Sequence, residues 1–230
     1  MKLVLLDMDG TVLMGRSLSA LAHAFGLEEK LRQLDAEKER LGLSEREVAA
    51  RIAQLFSGRP LRELKRIVDF IPFTPGAVWW VKRLRQAGAQ VALVSDSWRP
   101  LVERVAHRLG VDLVWANDLE TELGLVTGRI LPPPCPKRLP EGCRKHAVCK
   151  LYALESLSQR LGIPREHTLA VGDGTVDVCM LREAGLGVAL NPKSPEVAQA
   201  ADLVVYGDFY DLEQAVKEAS RGQSAGFGVV

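Results

Sequence analysis

Short apolar runs that alternate with amphipathic stretches constrain this chain more than any other feature. The runs are Leu3–Leu6, Gln90–Val94, Asp112–Trp115, Thr168–Val171, Gly187–Leu190 and Leu203–Val205. Each is too short for a globular helix, and an unbroken apolar run of this length suits a strand buried on both faces. Between several of them lie stretches with helical spacing of apolar residues, such as Gly76–Gln86, Pro100–Leu109 and Leu151–Leu161. Strand–helix alternation of this kind predicts an α/β fold, a doubly wound Rossmann-like parallel sheet with helices on both faces. Glu122–Ile130 instead alternates residue by residue around Gly124 and Gly128, which predicts a small antiparallel hairpin.

One segment breaks the rhythm. From about Gly15 to Phe73 there is no good strand and the pattern reads as three or four helices. Leu27, Leu31, Leu34 and Leu41 fall near helical spacing. Ser44 with Glu47 has the pattern of a capping box, followed by a stripe of Val48, Ile52 and Leu55. Pro60 suits the first turn of a helix carrying Leu61, Leu64 and Ile67, and Pro72 and Pro75 mark the return to the sheet. The expected organisation is a core of residues 1–14 and 74–230 and an all-helical cap of residues 15–73, set after the first strand and over its carboxyl end. The stretch Gly222–Val230 has no periodicity and is expected to be a loose tail.

With 47% hydrophobic and 26% charged residues and a formal net charge of +1, the chain has no electrostatic case for nucleic acid or an anionic membrane. The basic excess between Lys137 and Lys150 reads as a solvated loop. No apolar run approaches the roughly 18 residues of a membrane span, and a cytoplasmic location is expected. Nothing in the composition indicates an oligomeric state.

The chemistry-bearing residues stand where a parallel sheet would gather them. Asp7-Met8-Asp9-Gly10-Thr11 follows the first strand, Ser95 follows the second, Lys150 opens a helix, and Gly172-Asp173-Gly174-Thr175-Val176-Asp177 follows another strand. Ligands of open α/β sheets bind beyond the carboxyl ends of the strands, so Asp7, Asp9, Ser95, Asp173 and Asp177 are expected to share one crevice. Four carboxylates together repel one another unless a cation balances them, and an oxygen-only site with few protein ligands suits Mg²⁺. Lys150 and Ser95 supply a charge and a hydroxyl for phosphate oxygens. With two carboxylates a pair of residues apart, one can attack phosphorus while the other moves a proton.

These four motifs, in this order and on these elements, resemble those of the haloacid dehalogenase superfamily. The helical insert is similar to the cap of its phosphoserine phosphatase-like branch. The resemblance covers about residues 1–205. It implies a phosphatase that acts on a small phosphorylated metabolite, with Asp7 as nucleophile and Asp9 as general acid, then base. It also implies Mg²⁺ held by Asp7, Asp9 (through its backbone carbonyl), Asp173 and Asp177, the last as ligand or orienter. Ser95 and Lys150 would stabilise the equatorial oxygens, and Gly10, Thr11 and Asp96 would border the substrate, Gly10 letting backbone approach the phosphate.

Three departures bear on the substrate. Arg16 stands where that branch keeps a glutamate for a substrate ammonium. Asp96 and Ser97 replace two glycines, and Val176 replaces an asparagine. Phosphoserine is therefore expected to be a poor substrate, with Arg16 and Arg51 as candidate specificity contacts. A phosphorylatable receiver-like signalling module would also gather an acidic cluster, a hydroxyl and a lysine, but it needs no leaving-group acid such as Asp9. A phosphotransferase with the same intermediate is the other alternative.

Other candidates have plainer readings. Trp79 is expected in the core, and His23, His107 and His167 are expected to be structural or solvated. Cys135, Cys143, His146 and Cys149 lie within 15 residues of one another. They read as reduced thiols and a neighbouring imidazole, with a structural zinc as the alternative.

Overall fold

The computed structural model describes residues 1–133 and 146–225. Its centre is a seven-stranded sheet of β1 (Leu3–Asp7), β2 (Gln90–Trp98), β3 (Leu113–Glu122), β4 (Leu125–Leu131), β5 (Thr168–Gly172), β6 (Leu186–Leu190) and β7 (Leu203–Val205). The spatial order is β4-β3-β2-β1-β5-β6-β7, and every neighbouring pair is parallel except β3 with β4. The chain leaves β1 toward β2 on one side and later returns to β5 on the other. Such a reversal opens a crevice at the carboxyl ends of the strands. Asp7 pairs with Val94 and Leu6 with Val171, so Asp7, Ser95 and Asp173 all emerge at that edge.

The two faces of the sheet carry two apolar cores, as the pleat requires. Val4, Leu6, Val91 and Leu93 point to one face, against α5 (Ala77–Gln86), α6 (Arg99–Leu109) and α10 (Phe209–Ala225). Leu3, Leu5, Ala92 and Val94 point to the other, against α7 (Lys150–Leu161), α8 (Val178–Glu183) and α9 (Pro195–Ala200). Among the described residues, no helix is long and apolar enough to cross a membrane.

Four helices lie between β1 and α5: α1 (Ser17–Phe25), α2 (Glu28–Leu41), α3 (Glu45–Leu55) and α4 (Leu61–Asp69). The capping box forms as expected, Ser44 N donating to Glu47 Oε2 at 2.8 Å and Glu47 N to Ser44 Oγ at 3.3 Å. Highly charged α2 is tied to its neighbour by ion pairs, Lys38 with Glu45 and Arg51 Nη1 with Glu37 Oε2 at 2.7 Å. The insert is fastened to the hairpin and to α6, among other places. Backbone bonds link its α3–α4 loop to the β3–β4 hairpin: Gly58 N to Val126 O at 2.8 Å and Leu61 N to Gly124 O at 2.9 Å. On α6, Arg104 holds Asp69 with two bonds of 2.8 and 2.9 Å, and Arg108 donates to Val68 O near the end of α4 and to Ile71 O just beyond it.

The structure differs from the sequence reading at four points. β2 runs past Val94 through Ser95 to Trp98, so Ser95 stands in the irregular end of the strand and not after it. The first arm of the hairpin is the far half of β3, which runs parallel to β2 and then pairs antiparallel with β4. The apolar run at 112–115 marked only its buried half. Trp80, not Trp79, is the core residue: it is fully buried and its indole donates to Glu213 at 2.7 Å. Trp79, 38% exposed, lies against Tyr210, because adjacent helical positions are about 100° apart and only one can face the sheet. Finally, α10 continues through Gly222 to Ala225, where a loose tail was expected.

Candidate active site

The site grows from the end of β1. Asp7 is the last residue of the strand, and its side chain is buried beneath the crevice. Lys150, the first residue of α7, is almost wholly buried, and its ammonium bonds Asp7 Oδ1 and, at 2.6 Å, Asp177 Oδ1. The other oxygen of Asp177 receives the amides of Asp173 at 3.2 Å and Gly174 at 3.0 Å. Asp177 thus spends both oxygens orienting the lysine and the loop after β5. Gly172 is glycine because a Cβ there would overlap the Asp177 carboxylate.

Asp9 is held differently. Ser17 N donates to its Oδ1 at 2.8 Å and Ser17 Oγ to its Oδ2 at 2.7 Å, so the carboxylate caps the amino end of α1. The same hydroxyl lies 3.0 Å from Ser97 Oγ. Ser97 N donates to Ser95 Oγ at 3.0 Å, which leaves the Ser95 proton available to a ligand. Asn117 Nδ2 fixes the irregular end of β2 by donating to Asp96 O at 2.6 Å. On the opposite wall Lys193 Nζ meets Asp173 Oδ2 at 2.5 Å.

Burial dominates the electrostatics. It holds the Asp7 carboxyl well above the usual carboxylate range, against the pull of Lys150, with Asp177 and Asp173 pushing further up. Burial likewise raises Asp9, opposed by the two Ser17 bonds, and Asp173, opposed by Lys193. Asp96 is pushed up to about 6, again by burial. For Lys150 burial works downward, but Asp177 and Asp7 outweigh it and the ammonium keeps its proton.

The carboxylates fit a hard divalent cation. One oxygen each from Asp7, Asp173 and Asp177 lie within 4.8 Å of one another, and all three residues are buried. The donor set is oxygen only, and a cation there would offset the burial that raises Asp7 and Asp173. Thr11 Oγ1, Asp96 Oδ1 and Ser194 Oγ are buried with no hydrogen-bond partner among the described residues.

Above these residues is a cavity of about 680 Å³, floored by Asp7, Asp9, Ser95, Asp96, Lys150 and Asp173. Its roof comes from the insert, with Arg16, Leu31, Lys38, Glu45, Val48 and Ile52 among the lining residues. Of the two arginines singled out in the sequence, Arg16 lines the cavity, whereas Arg51 pairs with Glu37 and is not among the lining residues. Gly10, with φ +91°, passes directly under the Asp173 carboxylate. Cys135 and Cys143 lie outside the described residues. Cys149 Sγ accepts from Tyr152 N at 3.4 Å and so caps α7.

Sequence reasoning did not find Ser17, Asn117 or Lys193. Ser17 carried a faint signal as a hydroxyl residue before an apolar stripe. Asn117 and Lys193 carried none, because their partners are 21 and 20 residues away across the sheet edge.

Comparison with known proteins agrees with this geometry. The family model of haloacid dehalogenase-like hydrolases matches residues 4–182. A phosphoserine phosphatase of Archaeoglobus fulgidus is 33% identical over 192 residues, covering 84% of this chain and 53% of that protein. One from Methanocaldococcus jannaschii is 29% identical over 216 residues, covering 94% and 96%. The chain spans about half the length of several curated relatives it matches. A solved structure described as a phospho-aspartyl intermediate analogue of phosphoserine phosphatase superposes with a TM-score of 0.75. It is 28% identical, with 94% of this chain and 98% of that one covered.

Proposed function

The chain belongs to the haloacid dehalogenase-like hydrolases, and from that premise we propose that it is a magnesium-dependent phosphatase of a small phosphomonoester, working through a phosphorylated Asp7. The observation that carries this reading is the Lys150 ammonium clasped between Asp7 and Asp177, beside Asp173, on the floor of a cavity that the insert partly roofs. A cavity of about 680 Å³ is of the size that encloses small molecules. In this reading residues 15–73 act as a cap domain on a core of residues 1–14 and 74–230.

In the first step an Asp7 oxygen forms a bond to phosphorus while the bond from phosphorus to the substrate alcohol breaks. Asp9 gives its proton to the departing oxygen, a role that suits a carboxyl raised by burial. In the second step water attacks the phosphorus, Asp9 takes the proton back, and the bond to Asp7 breaks with release of phosphate. Lys150 and the Ser95 hydroxyl stabilise charge on the equatorial oxygens throughout. Asp7, Asp173 and the Asp9 backbone carbonyl would hold Mg²⁺, with Asp177 alongside, and the ion would supply positive charge against the negative charge of the carboxylates and the phosphoryl group. Asp96 and Arg16, which line the cavity, border the substrate, Gly10 and Thr11 shape the loop beneath it, and the insert over the site favours compact esters.

Hydrolysis of p-nitrophenyl phosphate tests the reading. The wild type is expected to turn it over repeatedly with Mg²⁺ and to be silenced by EDTA. Asp7→Asn is expected to lose about 10⁴-fold or more in kcat, since no neighbouring side chain can replace the attacking carboxylate. Near-normal turnover by that variant sinks the proposal, and a single stoichiometric phosphorylation without turnover favours a receiver-like module.

A further inference from the structure

We infer that Lys193 is a built-in stand-in for the divalent cation, an ammonium that holds Asp173 in the metal-free protein and must release it when the cation binds. The inference rests on the functional reading only for the metal itself. Three features of the structure lead to it.

The first is charge. Asp7, Asp173 and Asp177 sit together, and among the described residues Lys150 is paired with Asp7 and Asp177 but not with Asp173; buried carboxylates this close destabilise one another. The Lys193 ammonium, 2.5 Å from Asp173 Oδ2, removes part of that excess.

The second is construction. The loop from β6 to α9 is tightly made: Asn191 adopts φ +50°, donates its N–H to Val205 O at 2.8 Å and exchanges two bonds with Gly207. Lys193 N then donates to Asp173 O at 2.9 Å, so the backbone of Lys193 is anchored to the residue its side chain neutralises. Beneath the pair, Gly10 leaves the necessary space, since a Cβ there would overlap both the Asp173 carboxylate and the Lys193 ammonium.

The third is the contrast between the two lysines. Lys150 has a side chain 1% exposed and is wedged between two carboxylates, with nowhere to move. Lys193 is 53% exposed while its partner Asp173 is only 4% exposed. The carboxylate is fixed and the ammonium, on a flexible stem, has solvent to withdraw into. Once displaced from Asp173 it still borders the cavity, where it can meet a phosphoryl oxygen.

Calorimetric titration of the chelator-stripped full chain with MgCl₂ alone provides the test, because it needs no turnover. Removing a competing half-exposed ion pair in Lys193→Met is expected to tighten Mg²⁺ binding about three- to tenfold and to lower the melting temperature of the metal-free protein. Lys193→Arg is expected to act in the opposite direction and weaken Mg²⁺ binding, because a guanidinium grips a carboxylate with two bonds. A purely structural lysine would not split the two variants this way. Inorganic phosphate is expected to bind Mg²⁺-loaded Lys193→Met more weakly than the loaded wild type. Mg²⁺ affinity in Lys193→Met equal to or below that of the wild type overturns the inference, and leaves the functional reading intact if the wild type hydrolyses p-nitrophenyl phosphate. A wild type that binds no Mg²⁺ overturns this inference and the metal dependence together.

Discussion

Asp96 is the residue whose chemistry sits least comfortably with its surroundings. Its carboxyl lies within the field of Asp177 and Glu45 and carries a buried Oδ1 without a partner among the described residues. A hydrogen bond from the Val148 backbone and the Lys150 charge only partly compensate the burial that pushes it up to about 6. The folded protein therefore holds the Asp96 proton more tightly than the unfolded chain does. Its contribution to stability is intact below the unfolded value near 3.8 and is lost as pH rises through about 6. Asp96→Asn removes that loss, and is expected to be more stable than the wild type at pH 7–8 by on the order of 2 kcal/mol, with no difference near pH 3.5. Urea denaturation at the two pH values checks it, and an equal gain at both would show that ionisation is not the cause. The sequence exposed Asp96 as an acidic residue beside the candidate phosphate site. It could not expose the orphaned oxygen, which depends on α7 and on the insert packing around it.

At the scale of elements, the hairpin joins the insert to the sheet, and Gly128 makes the joint possible. A Cβ on Gly128 would lie 3.1 Å from Gln54 Cα on α3 and 3.2 Å from Ser57 Cβ, and its φ is +85°. Gly124, in the turn of the same hairpin, has φ +79° but nothing within 4 Å of a would-be Cβ. Gly124→Ala is therefore expected to cost only the backbone penalty, about 1 kcal/mol, and Gly128→Ala about 1–3 kcal/mol more because α3 must shift. Denaturant unfolding of the two variants measures the difference, and equal losses would mean that α3 is not seated on β4 as described. The alternation around Gly124 and Gly128 made the hairpin legible in the sequence. That one glycine serves a turn and the other a helix contact was not, since both have the same residue identity and the same sign of φ.

The molecule as a whole is what assembles the site, from residues that span Asp7 to Lys193. A ligand that binds only this assembled state stabilises it by mass action. Mg²⁺ at about 100 times its dissociation constant is expected to contribute ~2.7 kcal/mol, a rise in melting temperature of roughly 5–10 °C for a chain of this size. Asp173→Asn should abolish most of that rise, and thermal scans with MgCl₂ and with EDTA decide it. Sequence alone determined the buried part of most strands and the longer helices between them, because burial on two faces and helical periodicity are local patterns written in consecutive residues; the far half of β3 and the end of α10 escaped it. It also determined that Asp7, Ser95 and Asp173 would stand at or near the carboxyl ends of strands, and a parallel sheet puts all such ends on one edge. It could not determine which charges meet at that edge. Lys150 lies between Asp7 and Asp177, Ser17 on Asp9, and Lys193 on Asp173. Each of these contacts depends on how crossover loops and the insert fold back over the sheet, and on burial that makes an unpaired charge costly. Only the tertiary structure decides them, because pairing energy depends on distance in space and on exclusion of water, and neither is encoded by separation along the chain.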